Sequence, residues 1–161
     1  MTVAIYLAAI VTANLTIAAF GPSWSIINAF LFIGLDLTLR DKLHDTWRGR
    51  GLAPRMAALI AAGGIITFAL NRDAATIAIA STVAFAAAQT TNTLVYHALR
   101  RHPFLVRVNT SNAPAALVDS LLFPTIAFGA FLWPIVLGQF IAKTAGGALW
   151  AYVIHRYRGA A

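Results

Sequence analysis

The chain has 161 residues, of which 60% are hydrophobic and 11% charged, with a mean hydropathy of +0.75 and a formal charge of +7. A soluble domain carries roughly 25% charged residues, so this composition excludes an ordinary soluble fold and points to a single membrane domain over residues 1–161. With no cysteine, disulfide and thiol chemistry are excluded, and no basic reader motif suggests nucleic acid as a partner. The first apolar run, 3–20, has no Lys or Arg before it, so it lacks the basic start of a signal peptide and reads as a retained membrane helix. Gly21 and Pro22 end it. A second helix is expected over 25–40, with Asp36 and Arg40 near its end. A basic loop, 41–54, leads to a third helix over 55–70, which contains Gly63-Gly64. After the turn Asn71-Arg72-Asp73, a fourth helix spans 74–99 and becomes more polar toward Gln89 and Asn92. A second basic loop ends in Asn109-Thr110-Ser111-Asn112. The fifth and sixth helices cover 113–131 and 132–154.

Six such runs predict an all-α polytopic fold, each run long enough, or nearly so, for a hydrocarbon core of ~30 Å. Lys and Arg fix the expected orientation. With the N-terminus inside, the inner segments hold ten (Arg40, Lys42, Arg48, Arg50, Arg55, Arg100, Arg101, Arg107, Arg156 and Arg158) and the outer segments only Arg72. This asymmetry places both termini in the cytoplasm. Small residues such as AASTVAFAAAQTTNT and GGALWA permit close helix approach and are compatible with a homodimer.

Polar groups inside apolar helices carry the functional signal. Asp119 and Lys143 each cost at least ~2.5 kcal/mol to insert. They pair with each other, or Asp119 accepts adjacent N–H donors of a ligand, or Lys143 donates to one. Asn112 before Ala113-Pro114 reads as a helix cap, and Ser111 and Asn112 could also present a helix start to a ligand. Asp36 and Arg40, four residues apart, suit a salt bridge that latches or gates. Asn14, Gln89 and Asn92 are either interhelical glue or readers of a purine-like edge. Asp41, His44 and Asp45 have a spacing that could hold a metal, but a solvated face is the commoner reading, and no metal or cofactor is expected. Trp24, Trp133 and Trp150 suit the membrane interface.

Asn14, LDLTLRDKL (35–43), a Gln-containing fourth helix ending in VYHALR, SNAPAALVDSLLFPTIAFG (111–129) and QFIAK (139–143) occur in this order along nearly the whole chain. Together they resemble the queuosine-precursor transporters, the VUT group of small bacterial membrane proteins. The resemblance implies a multi-pass inner-membrane importer of 7-deazapurines, chiefly 7-cyano-7-deazaguanine and its aminomethyl relative, rather than an enzyme. It matches the family's conserved-type positions to Asp36–Arg40, Gln89, Asp119 and Lys143; Asn92 stands where some members carry an acid. The expected ligand site is therefore Asp119, Lys143, Asn14, Gln89, Ser111 and Asn112, working by alternating access. Three rivals remain: a binding subunit driven by a separate ATP-dependent motor, an intramembrane enzyme built on Asp36, Asp41, His44 and Asp45, and a structural membrane protein whose Asp119–Lys143 pair only holds helices together.

Overall fold

The computed structural model describes residues 2–47 and 51–158, and every regular element among them is helical. The elements are α1 (Thr2–Phe20), α2 (Trp24–Asn28), a π-helical segment (Ala29–Ile33), α3 (Gly34–Trp47), α4 (Leu52–Leu70), a 3-10 turn (Arg72–Ala74), α5 (Ala75–Ala98), α6 (Phe104–Phe128) and α7 (Trp133–Arg158). Because α2, the π segment and α3 follow without a break, the described residues form six helical rods. Short turns make consecutive rods antiparallel neighbours. Gly21 (φ +83°) and Gly129 (φ +65°) adopt the left-handed conformation that stops α1 and α6. The turns at 21–23, 71–74 and 129–132 gather at one end. There the rings of Phe20 and Trp24 meet at 4.8 Å, and those of Phe131 and Trp133 stack at 5.6 Å.

Two helices run past their expected bounds. The second rod continues to Trp47 instead of giving way to a loop after residue 40. TLRDKLHDTW has neither Gly nor Pro, and good helix formers carry the helix beyond the apolar run. The larger correction is α6, which starts at Phe104 after Pro103, so Ser111 and Asn112 lie inside the helix and cap nothing. Pro114 is likewise internal. Its missing N–H costs only the bond to the carbonyl of Thr110, an exposed residue. Ser111 Oγ turns back to the Val108 carbonyl at 3.1 Å, as hydroxyls inside helices do. Arg48 and Arg50 of the expected basic loop lie outside the described residues.

Among the described residues, three helices are long and apolar enough to cross a membrane by composition: α1, α4, and the stretch from Arg72 to Ala98. The other rods, 24–47, 104–128 and 133–158, match them in length but are diluted by the polar residues that build the interior. Ile65, Phe68, Leu70 and Leu94 stay exposed on the outer faces of α4 and α5, as lipid contact requires. α6 packs between α5 and α7, and α7 also lies along α3 and the π segment. A bilayer gives helices little hydrophobic incentive to associate, so close packing has to hold them. At the α3–α7 contact it is closest. A Cβ added to Gly34 would sit 2.6 Å from the Gly146 carbonyl carbon, and one on Gly146 would overlap the Phe30 carbonyl oxygen. The π segment lies at this contact, where Gly34 N–H bonds five residues back to the Ala29 carbonyl.

Candidate functional site: a charge pair and polar cavity inside the bundle

Lys143 lies ten residues into α7 and Asp119 nine residues before the end of α6. At 1.5 Å per residue both are roughly 14–15 Å from the same end of the bundle. They meet as an ion pair, Nζ to Oδ2 at 2.5 Å, with side-chain exposures of 3% and 5%. Gln139, one turn before Lys143, accepts a second ammonium proton through Oε1 at 2.6 Å. Ser120 Oγ stands 3.4 Å away as the third acceptor. All three ammonium protons thus have protein partners. Gln139 Nε2 donates onward to Ser25 Oγ at 2.9 Å, and Ser25 donates to the Pro22 carbonyl at 2.5 Å. Asp119 is less well served: Oδ1 is buried and accepts nothing from the protein.

Asp119 lines a small cavity of about 20 Å³, room for a single water. Asn14 of α1, Ser25 and Asn28 of α2, Ser81 and Phe85 of α5, Asp119 and Phe123 of α6, and Gln139 and Lys143 of α7 are among its walls. Its amides are tied outward. Asn14 Nδ2 donates to Thr67 Oγ1 at 3.3 Å, and Asn28 Nδ2 donates to the Ala13 carbonyl at 3.0 Å and to Thr16 Oγ1 at 2.6 Å.

A second polar layer lies deeper. Arg40 is sixteen residues beyond Trp24, and Asn112 sixteen before Phe128, which puts both about 24 Å from the same end. Arg40 NH2 donates to Asn112 Oδ1 at 3.3 Å, while Asn112 Nδ2 is buried with no partner. Asp36 lies one turn before Arg40, also buried. Seven residues separate Asn112 from Asp119, so they share a face of α6 about 10 Å apart.

Of the six residues expected to bind ligand, Asn14, Asp119 and Lys143 come together at the cavity. Ser111 and Asn112 belong to the deeper layer. Gln89 does neither: it lines a groove between α4 and α5 with Met56, Thr90 and Leu94, and its Nε2 bonds to Thr93 at 3.2 Å. Sequence reasoning overlooked Ser25, Asn28, Ser81 and Gln139. The spacing of Gln139 four before Lys143 carried a signal, since it places both on one face. Asp41, His44 and Asp45 fall within α3, but their side chains lie outside the described residues. No group of three or more metal-ligating side chains occurs among the described residues.

A helical bundle with apolar outer faces, a neutralised charge pair at mid-depth and a closed polar cavity beside it defines a multi-pass membrane protein with a buried site. Residues 1–155 match the family described as "Putative vitamin uptake transporter", and the chain belongs to that family, the VUT group. No curated protein and no solved structure matches the chain.

Proposed function

We propose that this protein imports a queuosine precursor, 7-cyano-7-deazaguanine or a close 7-deazapurine, across the bacterial inner membrane. In this reading all six rods cross the bilayer and both termini are cytoplasmic. Membership of an uptake family supports the transport class. The observation that carries the site assignment is Asp119 Oδ1, an acceptor buried at mid-depth with no protein donor. An unpaired buried acceptor costs about 1–3 kcal/mol, a cost that a ligand N–H removes. The planar base offers such donors side by side, and Phe85 and Phe123 supply apolar wall to the same cavity.

Ligand pockets usually enclose ~300–1,000 Å³, so a cavity of about 20 Å³ is closed to a base. Transport then requires the rods around the cavity to part toward one side and afterwards toward the other, which is alternating access around a fixed site. Asn14 and Asp119 are the ligand residues of this reading, with Lys143 as the counter-ion that holds Asp119 in place and Asp36, Arg40, Ser111 and Asn112 forming a deeper gate. The test is uptake in a bacterial strain that can neither make nor import the base, with this gene supplied alone and queuosine in tRNA as the readout. Restored queuosine that disappears with Asp119→Asn, at equal membrane levels, is the expected result. No restoration at good expression refutes self-sufficient import of this substrate, and binding of the base to the purified protein then separates a motor-dependent subunit from a wrong substrate.

A further inference from the structure

An amide's oxygen and nitrogen are alike in shape, so its orientation is fixed by its hydrogen-bond neighbours. Asn28 faces the Ala13 carbonyl, which only accepts, so the group pointing there must be NH2. The same NH2 meets Thr16 Oγ1, whose single proton is committed to the carbonyls of Thr12, at 2.7 Å, and Ala13, at 3.0 Å. Asn14 is fixed by the same logic. Its NH2 meets Thr67 Oγ1, whose proton goes to the Gly63 carbonyl at 2.8 Å. Both amides therefore turn their oxygens away from these contacts, and among the described residues neither oxygen has a hydrogen-bond donor. Both residues are buried and both line the cavity.

Asp119, whose Oδ1 is buried without a protein donor, lines the same cavity, so three acceptor-bearing side chains meet there. The cation beside them offers nothing to spare, since Lys143 is engaged by Asp119, Gln139 and Ser120. A carbonyl-rich or anionic ligand would find no donor in this arrangement. A second cation would be repelled by the ammonium. The complement is a neutral ligand with several N–H groups along one edge.

We propose that Asn28 is a specificity-determining residue that, with Asn14, reads ligand N–H donors through an outward-locked amide oxygen, selecting a 2-amino-4-oxopyrimidine edge over the same ring without its amino group. This rests on the cavity being the ligand site of the transporter. Asn28 also ties α2 to α1, so a loss of activity alone would not separate reading from scaffolding. The ratio of two affinities does. Removing one ligand donor leaves a buried oxygen unpaired and weakens binding about tenfold or more. A scaffold defect weakens both ligands alike.

The experiment is calorimetric or thermal-shift titration of the purified full chain in detergent with 7-cyano-7-deazaguanine and with its analogue lacking the 2-amino group. The wild-type protein is expected to prefer the amino base at least tenfold. Asn28→Ala is expected to bring the two affinities within about threefold, chiefly by weakening the amino base, and Asn14→Ala to lower the same ratio. A wild-type ratio near one overturns the proposal whether or not either variant folds. A wild-type preference that persists undiminished in both folded variants also overturns it and leaves the transport reading intact. Binding of neither base by wild-type protein refutes the substrate reading itself, and this proposal with it.

Discussion

Neutralising one member of the Asp119–Lys143 pair should not be equivalent to neutralising the other. Breaking a buried ion pair by removing one partner costs about 3–5 kcal/mol, whereas replacing both with apolar or neutral groups is often close to neutral. The local partners divide that range. When Asp119→Asn removes the charge, the ammonium keeps Gln139 at 2.6 Å and Ser120 at 3.4 Å. When Lys143→Met removes the cation, the carboxylate keeps nothing, because Lys143 is its partner at Oδ2 and Oδ1 has none. Asp119→Asn is therefore expected at the lower end, about 3 kcal/mol, and Lys143→Met at the upper end, about 5 kcal/mol. At about 2–4 °C per kcal/mol for a chain of this size, the midpoints fall by roughly 10 and 15 °C. The assay is thermal unfolding of the detergent-solubilised protein, followed as loss of the monodisperse species. The double variant should recover most of the loss yet transport nothing. Equal losses for the two single variants, or a double variant no better than the worse single one, would refute this account of the pair.

Four other substitutions separate the parts of the bundle. Gly146→Leu drives a side chain into the Phe30 carbonyl, and overpacking of this kind costs about 1–3 kcal/mol or more; reduced membrane levels and a lower unfolding midpoint are expected, whereas Gly129→Asn, at an open turn, changes little. Asn112→Leu deprives Arg40 of its acceptor and should lower stability by about 1–3 kcal/mol, while ligand affinity at the mid-depth cavity stays within about twofold in direct binding. Gln89→Leu should leave uptake close to wild type, because Gln89 faces the α4–α5 groove; a collapse of uptake at normal expression would return Gln89 to the ligand site.

How far the sequence reveals this protein depends on which force sets each feature. Hydropathy exposes α1, α4 and α5 because burial in lipid is what those residues are selected for. It stops short at the C-terminal end of α3 and the N-terminal end of α6, where helix-forming but polar segments continue the same backbone. Asn109 to Asn112 look like a cap by residue type, yet Pro103 already provides the start, and Arg40 takes up Asn112. The charge pair is legible because two lone charges in apolar runs need partners. The amides are harder to place, since helical phase decides them. Gln89 is eight residues from Ser81, a rotation about 80° off its face, whereas Asn92, eleven residues on, comes back to within about 20° of it. Asn92 is accordingly fully buried, and Gln89 turns to the groove. The π segment has no signature in AFLFIG; it is set by contact with Gly146, 113 residues after Ile33.

The placement of the charges also bears on how such a chain enters a bilayer. Asp119 and Lys143 belong to consecutive helices joined by the four residues 129–132. A hairpin of α6 and α7 can bring them together before the rest of the bundle packs, so it need not carry two exposed charges, each worth ~2.5–3.5 kcal/mol against insertion. Asp36 and Arg40 are spaced one helical turn apart, so their rod is neutral at that depth as well. If all six rods cross the bilayer as proposed, these four charges are offset in pairs, and the contacts left to form last are the neutral ones: Gln139 with Ser25, Asn28 with Ala13, Asn14 with Thr67. Those hydrogen bonds join α1, α2, α4 and α7 around the cavity, and such interhelical bonds are individually worth only about 0.6–2 kcal/mol. The charge pair is costly to break and the amide ties are cheap, so opening the cavity is expected to part the neutral contacts first and leave α6 and α7 moving as a unit. A cross-link between α6 and α7 that preserves uptake, beside one between α1 and α2 that abolishes it, is the result this ordering requires; the reverse pattern would overturn it.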